Sequence, residues 1–128
     1  MVIDSSALLA ILFGEPEKRR FNELIGSHAV RLMSAASYLE SAIIIDDRLG
    51  YEGARDLSLF LREADIEIEP VTLAQAEIAR DAYRRFGRGN HVAALSFGDC
   101  FAYALAKTLD APLLFKGGDF GQTDIKRA

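Results

Sequence analysis

The chain has one cysteine, Cys100, only two histidines, and no excess of positive charge: 15 Lys and Arg against 19 Asp and Glu leave it at −4 with both histidines neutral. A lone cysteine allows no internal disulfide, which fits a reducing compartment, and core packing is the ordinary use of such a residue. So little His and Cys also leaves scant material for a histidine base or a cysteine nucleophile. The negative balance argues against a non-specific nucleic-acid coat, because phosphate binding relies on cationic excess. No basic leader precedes the first apolar run, which Asp4 interrupts and Gly14-Glu15-Pro16 ends, so it reads as neither signal peptide nor membrane span. A cytoplasmic protein without membrane association is the expectation. Repeats, low-complexity tracts and interdomain linkers are missing too, and 128 residues suit one domain, 1–128.

What is present is an ordinary globular balance, 50% hydrophobic and 27% charged. Met1-Val2-Ile3 is strand-like and delivers Asp4, Ser5 and Ser6 to the start of a helical pattern, Ala7 to Phe13. Glu15-Pro16 opens a second helix, with Phe21, Leu24 and Ile25 as its apolar stripe. Val30 to Met33 reads as a strand. Ser34 or Ser37 caps the following helix, which carries Glu40 in its first turns and ends near Gly50. Another helix spans about Gly53 to Ala64, and Ile66 to Val71 alternates acid and apolar residues as a half-buried strand does. Thr72 and Gln75 form a capping box for a helix that reaches Gly87. Arg88 to Phe97 has no periodicity and reads as a loop, after which Gly98-Asp99 begins a helix. Pro112 precedes a last strand, Leu113 to Phe115, and a turn, Lys116 to Phe120. Strands separated by helices imply an α/β fold with a parallel sheet covered on both faces.

Four acids share one context. Asp4 follows a strand, Glu40 begins a helix after a strand, Asp99 begins a helix after a loop, and Asp119 follows the last strand. The ends of parallel strands are where ligands sit in such folds. Carboxylates gathered there repel one another, so the cluster either raises its own pKa values or recruits a cation, and oxygen-only ligands suit Mg²⁺ or Mn²⁺ rather than Zn²⁺. A hard cation in such a pocket binds a scissile phosphate, makes a water more acidic and neutralises charge on the leaving oxygen. The bland alternative is that each acid merely complements a helix N-terminus.

Met1-Val2-Ile3-Asp4-Ser5-Ser6-Ala7-Leu8, Ser37-Tyr38-Leu39-Glu40, Phe97-Gly98-Asp99-Cys100-Phe101-Ala102-Tyr103-Ala104-Leu105-Ala106 and Pro112-Leu113-Leu114-Phe115-Lys116-Gly117-Gly118-Asp119-Phe120 occur in order along the chain. Together they resemble the PIN-domain ribonucleases, and among those the VapC toxins of bacterial type II toxin–antitoxin pairs. The resemblance implies a PIN-like three-layer α/β/α sandwich with a central, mostly parallel sheet, and a Mg²⁺-dependent (or Mn²⁺-dependent) endoribonuclease. It implies Asp4 and Asp99 as principal metal ligands, with Glu40 completing the acidic pocket directly or through water. Ser6 matches a position that orients a carboxylate or binds a water, although it also suits a helix cap. The fourth corner departs from the pattern: Phe115, Gly117 and Gly118 stand where family members often carry Thr or acids, and only Asp119 remains. Asp124 either compensates or is irrelevant. Loss of an acid there leaves one-metal and two-metal mechanisms open.

RNA reaching an acidic pocket needs a basic rim, for which Arg84, Arg85, Arg88 and Lys116 are the candidates; solvated helix faces are the plainer use of such residues. Ile43-Ile44-Ile45 and Leu57 to Leu61 carry more apolar residues than one helix face needs. Buried core accounts for them by default; a homodimer or a cognate VapB-like antitoxin helix is what the resemblance implies. Two rivals remain at this level. A phospho-receiver domain needs a phosphoacceptor Asp at a middle strand end and paired acids after the first strand, neither of which is evident. A non-catalytic PIN scaffold would bind RNA or protein without cutting.

Overall fold

In Val2-Ile3, Leu32-Met33 and Leu113-Leu114 both members of each apolar pair can be buried only in a sheet covered on its two faces, because neighbours along a strand point opposite ways. The computed structural model describes residues 1–128 and has this arrangement. Its elements are β1 (Val2–Ile3), α1 (Ser5–Leu12), α2 (Lys18–Ser27), β2 (Leu32–Ser34), α3 (Ala35–Glu63), β3 (Glu67–Glu69), α4 (Leu73–Phe86), α5 (Phe97–Thr108) and β4 (Leu113–Leu114). A 3-10 turn, Phe120–Gln122, follows. The strands lie in the order β3-β2-β1-β4 and every pair is parallel, with Val2 opposite both Leu32 and Leu113.

Val2, Leu32 and Leu113 point into one core with Ala79, Ala82 and Phe86 of α4 and Tyr103 and Leu105 of α5. Ile3, Met33 and Leu114 point into the other, against Leu8 and Ile11 of α1, Phe21 of α2, and Ile45 and Leu57 of α3. The result is the expected three-layer α/β/α sandwich, with a sheet that is wholly parallel. Cys100 is buried in the first core, and burial pushes its thiol up to about 11, as a packing residue requires.

Several boundaries differ from expectation. The second helix begins at Lys18 rather than at Pro16. Residues 35 to 63 are two helical segments that meet at a kink, and the break expected near Gly50 lies at that residue, whose φ of 62° and ψ of −149° suit only glycine. Ser34 caps α3 by accepting the Ala36 N–H, so Ser37 lies inside the helix, buried and with an unpartnered hydroxyl. The third strand shortens to three residues, with Ile66 buried before it and Ile68 exposed within it. Only half of the Thr72 box forms: Thr72 accepts the Gln75 N–H, while the Gln75 amide donates to the Pro70 carbonyl.

The segment after β4 is fastened to the first core. Leu113 N–H donates to the Lys126 carbonyl at 2.8 Å, Ala128 N–H returns to the Leu113 carbonyl at 2.9 Å, and Leu113 bridges Arg127 in parallel register. Tyr103 donates its hydroxyl to Asp124 Oδ1 at 2.6 Å, and Lys107 and Arg85 approach Oδ2 of the same carboxylate. Burial alone would raise the pKa of Asp124, but Tyr103 and Lys107 hold it below its ordinary value. Tyr103→Phe removes the charge-assisted bond without altering the packed ring, so it is expected to cost about 2 kcal/mol in urea unfolding, with an unchanged m-value.

Candidate active site

Asp4 is the residue at which β1 becomes α1. Its N–H donates to the Leu114 carbonyl at 2.9 Å, and its own carbonyl accepts from Ala7 and Leu8 as the helix begins. Its side chain is 1% exposed, and Oδ2 accepts both the Ser6 N–H at 3.0 Å and the Ser6 hydroxyl at 2.6 Å. Ser6 Oγ in turn accepts the Lys116 N–H at 3.0 Å, tying the end of β4 to the same place. The two uses weighed for Asp4 thus coincide: it caps α1 through Oδ2, while Oδ1 is buried without any hydrogen-bond partner.

Glu40 comes from the early turns of α3 and accepts the Ser5 hydroxyl on Oε1 at 2.6 Å. Its other oxygen rests against Gly98, where a Cβ would overlap Oε2 and lie 3.0 Å from Cδ. Asp99 is held by a reciprocal capping box. Its Oδ2 accepts the Ser96 N–H at 2.9 Å, and its N–H donates to Ser96 Oγ at 3.2 Å. The starts of α1, α3 and α5 therefore converge, each with a carboxylate fixed by a serine.

Burial, first of all, pushes the Asp4 carboxyl up to about 7; the Ser6 hydrogen bonds oppose that shift, and the charges of Asp99 and Glu40 add to it. Asp99 is likewise raised, by burial first and then by Asp119 and Glu40. Asp119 is exposed and makes no capping bond, but its charge reaches Asp99. All four acids thus lie in one electrostatic field. A buried carboxylate oxygen with no partner needs compensation, either a proton or a cation. No three His, Cys, Asp or Glu side chains close on a point as a preformed cage. The donor set fits Mg²⁺ in the manner that ion accepts, through one or two carboxylates with the remaining positions left to water and phosphate oxygens.

A family model described as "PIN domain" matches residues 1–126. Ribonuclease VapC30 of Mycobacterium tuberculosis is 51% identical over 125 residues, covering 98% of this chain and 95% of its own length. Ribonuclease VapC of Mycolicibacterium smegmatis is also 51% identical, covering 98% and 97%. The chain is a PIN domain of the VapC ribonuclease family. Two solved structures share the fold at low identity. One is the M. tuberculosis VapC20, described as a sarcin-ricin loop cleaving toxin, with a TM-score of 0.80 and 18% identity over 99% of this chain and 97% of that one. The other is a toxin–antitoxin complex from Klebsiella pneumoniae, with a TM-score of 0.74 and 15% identity over 96% and 92%.

The remaining candidates in this VapC-family chain are dispersed. Asp124 is committed to Tyr103, Lys107 and Arg85, so it does not compensate at the acidic corner. Arg85 faces Asp81 and Asp124 rather than the acids. Arg84 lines a groove with Arg80, Tyr83, Phe97 and Phe101, and Arg88 is exposed on the following turn. Lys116 sits beside the Asp4 corner through its backbone, and its ammonium pairs with Glu15 and Glu17. Three residues around the acids had escaped notice in these roles. Ser96 stands three residues before Asp99, the spacing of a capping box, and was legible. Ser5 and Gly98 touch Glu40 across gaps in sequence that no local pattern bridges. No helix of the molecule is long and apolar enough to cross a membrane.

The raised carboxyl of Asp4 sets a pH dependence. The native state binds a proton at this site up to about pH 7, whereas the unfolded chain releases it near 3.8. Between those values the native form holds more protons, so stability declines as pH rises across the window and the deficit is complete above it. Asp4→Asn keeps the acceptor for Ser6 and removes the charge. It is expected to leave stability near pH 4 almost unchanged and to raise it by up to about 4 kcal/mol at pH 8, read by urea unfolding in a chelator-containing buffer.

Proposed function

We propose that this chain is the toxin of a type II toxin–antitoxin pair, acting as a Mg²⁺-dependent endoribonuclease, with Mn²⁺ an alternative cation. The observation that carries the reading is the buried, half-satisfied Asp4, within the field of Asp99 and Glu40 at the carboxyl end of a central strand, in a chain 51% identical to curated VapC ribonucleases. Asp4 and Asp99 would hold the cation, with Glu40 beside them and Asp119 at the open side. When bound, the cation supplies charge against the scissile phosphate and makes a water acidic enough to attack phosphorus. Ser6 locks Oδ2 of Asp4 and so leaves Oδ1 as the free donor atom. Ser96 fixes one oxygen of Asp99 through its main-chain N–H. Arg84 and Arg88 are the cations available to meet the RNA backbone, and Lys116 would join them only by leaving Glu15 and Glu17. Arg85 would join them only by leaving Asp124.

The reaction breaks a P–O bond of the RNA backbone and adds water across it. Purified protein is expected to cleave RNA in Mg²⁺ or Mn²⁺, and Asp4→Ala or Asp99→Ala to lose at least about a thousandfold in rate with the fold intact by circular dichroism. Either cation should also raise the Tm of the unsubstituted protein and leave that of the double variant unmoved. Cleavage retained in the double variant would end the reading, and RNA binding without cleavage would favour the scaffold alternative.

A homodimer and an antitoxin partner belong to the same reading. Surplus apolar surface supports the first: Leu39 and Ile43 of α3 are each 58% exposed and Phe97 of α5 is 77% exposed, around one groove that also includes Phe101. The likeness to a toxin–antitoxin complex supports the second. Phe97→Asp places a charge in the centre of that face, and sedimentation velocity is expected to show a dimer of the unsubstituted chain reduced to monomer.

A further inference from the structure

Gly98 occupies the first turn of α5, a position where alanine is the better helix former. Its φ is not in the left-handed region, so backbone conformation does not require glycine. What requires it is Glu40: a Cβ at residue 98 would overlap Oε2 and press on both other carboxylate atoms. Ser5 of α1 donates its hydroxyl to Oε1 at 2.6 Å, the one hydrogen bond that hydroxyl makes. The Glu40 carboxylate therefore sits in a seat built from α1 and α5, one oxygen pinned by a hydroxyl and the other admitted by a missing side chain.

We infer that Ser5 and Gly98 are positioning residues that hold the Glu40 carboxylate toward Asp4 and Asp99, and so set how well the three acids act as one cation-binding unit. This rests on the nuclease reading above. Ser5 is distinct from Ser6, which serves Asp4, and neither Ser5 nor Gly98 contributes a ligand atom. A flexible Glu on a helix surface samples several rotamers, and restricting it to one removes an ordering cost that binding would otherwise carry.

The test is titration calorimetry of the full chain with Mn²⁺ alone, for Ser5→Ala, Ser5→Thr and Gly98→Ala, each with Glu40 intact and in a Glu40→Ala background. With Glu40 intact, Ser5→Ala and Gly98→Ala should each weaken Mn²⁺ binding by about ten- to a hundredfold, as lost support of a metal site does. Ser5→Thr should retain binding, and Gly98→Ala should show a Tm equal to or above that of the unsubstituted protein. In the Glu40→Ala background neither substitution should weaken binding further, since the group they position is gone. Undiminished Mn²⁺ affinity in both single variants overturns the inference, as does an equal loss with and without Glu40. Absence of Mn²⁺ binding by the unsubstituted protein brings down the nuclease reading and this inference together.

Discussion

A carboxylate buried at the end of a central strand is the constraint around which the rest of the molecule is arranged. Asp4 directly follows β1, which has a strand on either side, and its N–H is bonded to the Leu114 carbonyl, so it cannot swing into water without unpicking that corner of the sheet. Keeping an ionisable group there disfavours the charged form. Ser6 offsets part of that cost with two hydrogen bonds on a single oxygen, and the turn after β4 reinforces Ser6 through the Lys116 N–H. The other oxygen stays uncompensated. A site that bears such a defect in the absence of charge compensation is suited to gain most when a cation arrives.

The same economy of support is repeated at each helix start. Ser5 serves Glu40 and Ser6 serves Asp4 through their hydroxyls, and Ser96 serves Asp99 through its main-chain N–H, so serines rather than cations orient the acids. Pairing with Lys or Arg would have lowered the carboxyl pKa values and neutralised the site in advance. Lys116, whose backbone joins the Asp4 corner, has its ammonium drawn away by Glu15 and Glu17 from the turn after α1.

Much of this was legible in the residues. Strands separated by helices implied a parallel sheet covered on both faces, and the positions of Asp4, Glu40 and Asp99 relative to strand and helix starts suggested one shared place, which the resemblance of the ordered motifs made specific. Local pattern failed where three-dimensional partners decided the outcome. Glu15-Pro16 read as the opening of a helix, yet Glu15, together with Glu17, serves Lys116, about a hundred residues away in sequence. Asp124 stood open in the sequence, either a compensating acid or an irrelevant one; Tyr103, in the first core, captures it. Gly98 carried no signal at all, since what it accommodates comes from another helix.

The fastening of the final residues along β4 has a consequence for how copies of this chain meet. A parallel sheet exposes unpaired main-chain groups along its outermost strands, which invite a strand from a second molecule. On one border those groups at Leu113 are already taken by Lys126 and Ala128 of the same chain. On the other, β3 is only three residues long and bears Glu67 and Glu69, a short acidic border that repels its own image. Association by sheet extension is therefore discouraged on both borders, and self-recognition is steered to the helical faces, where side chains rather than backbone dictate the partner.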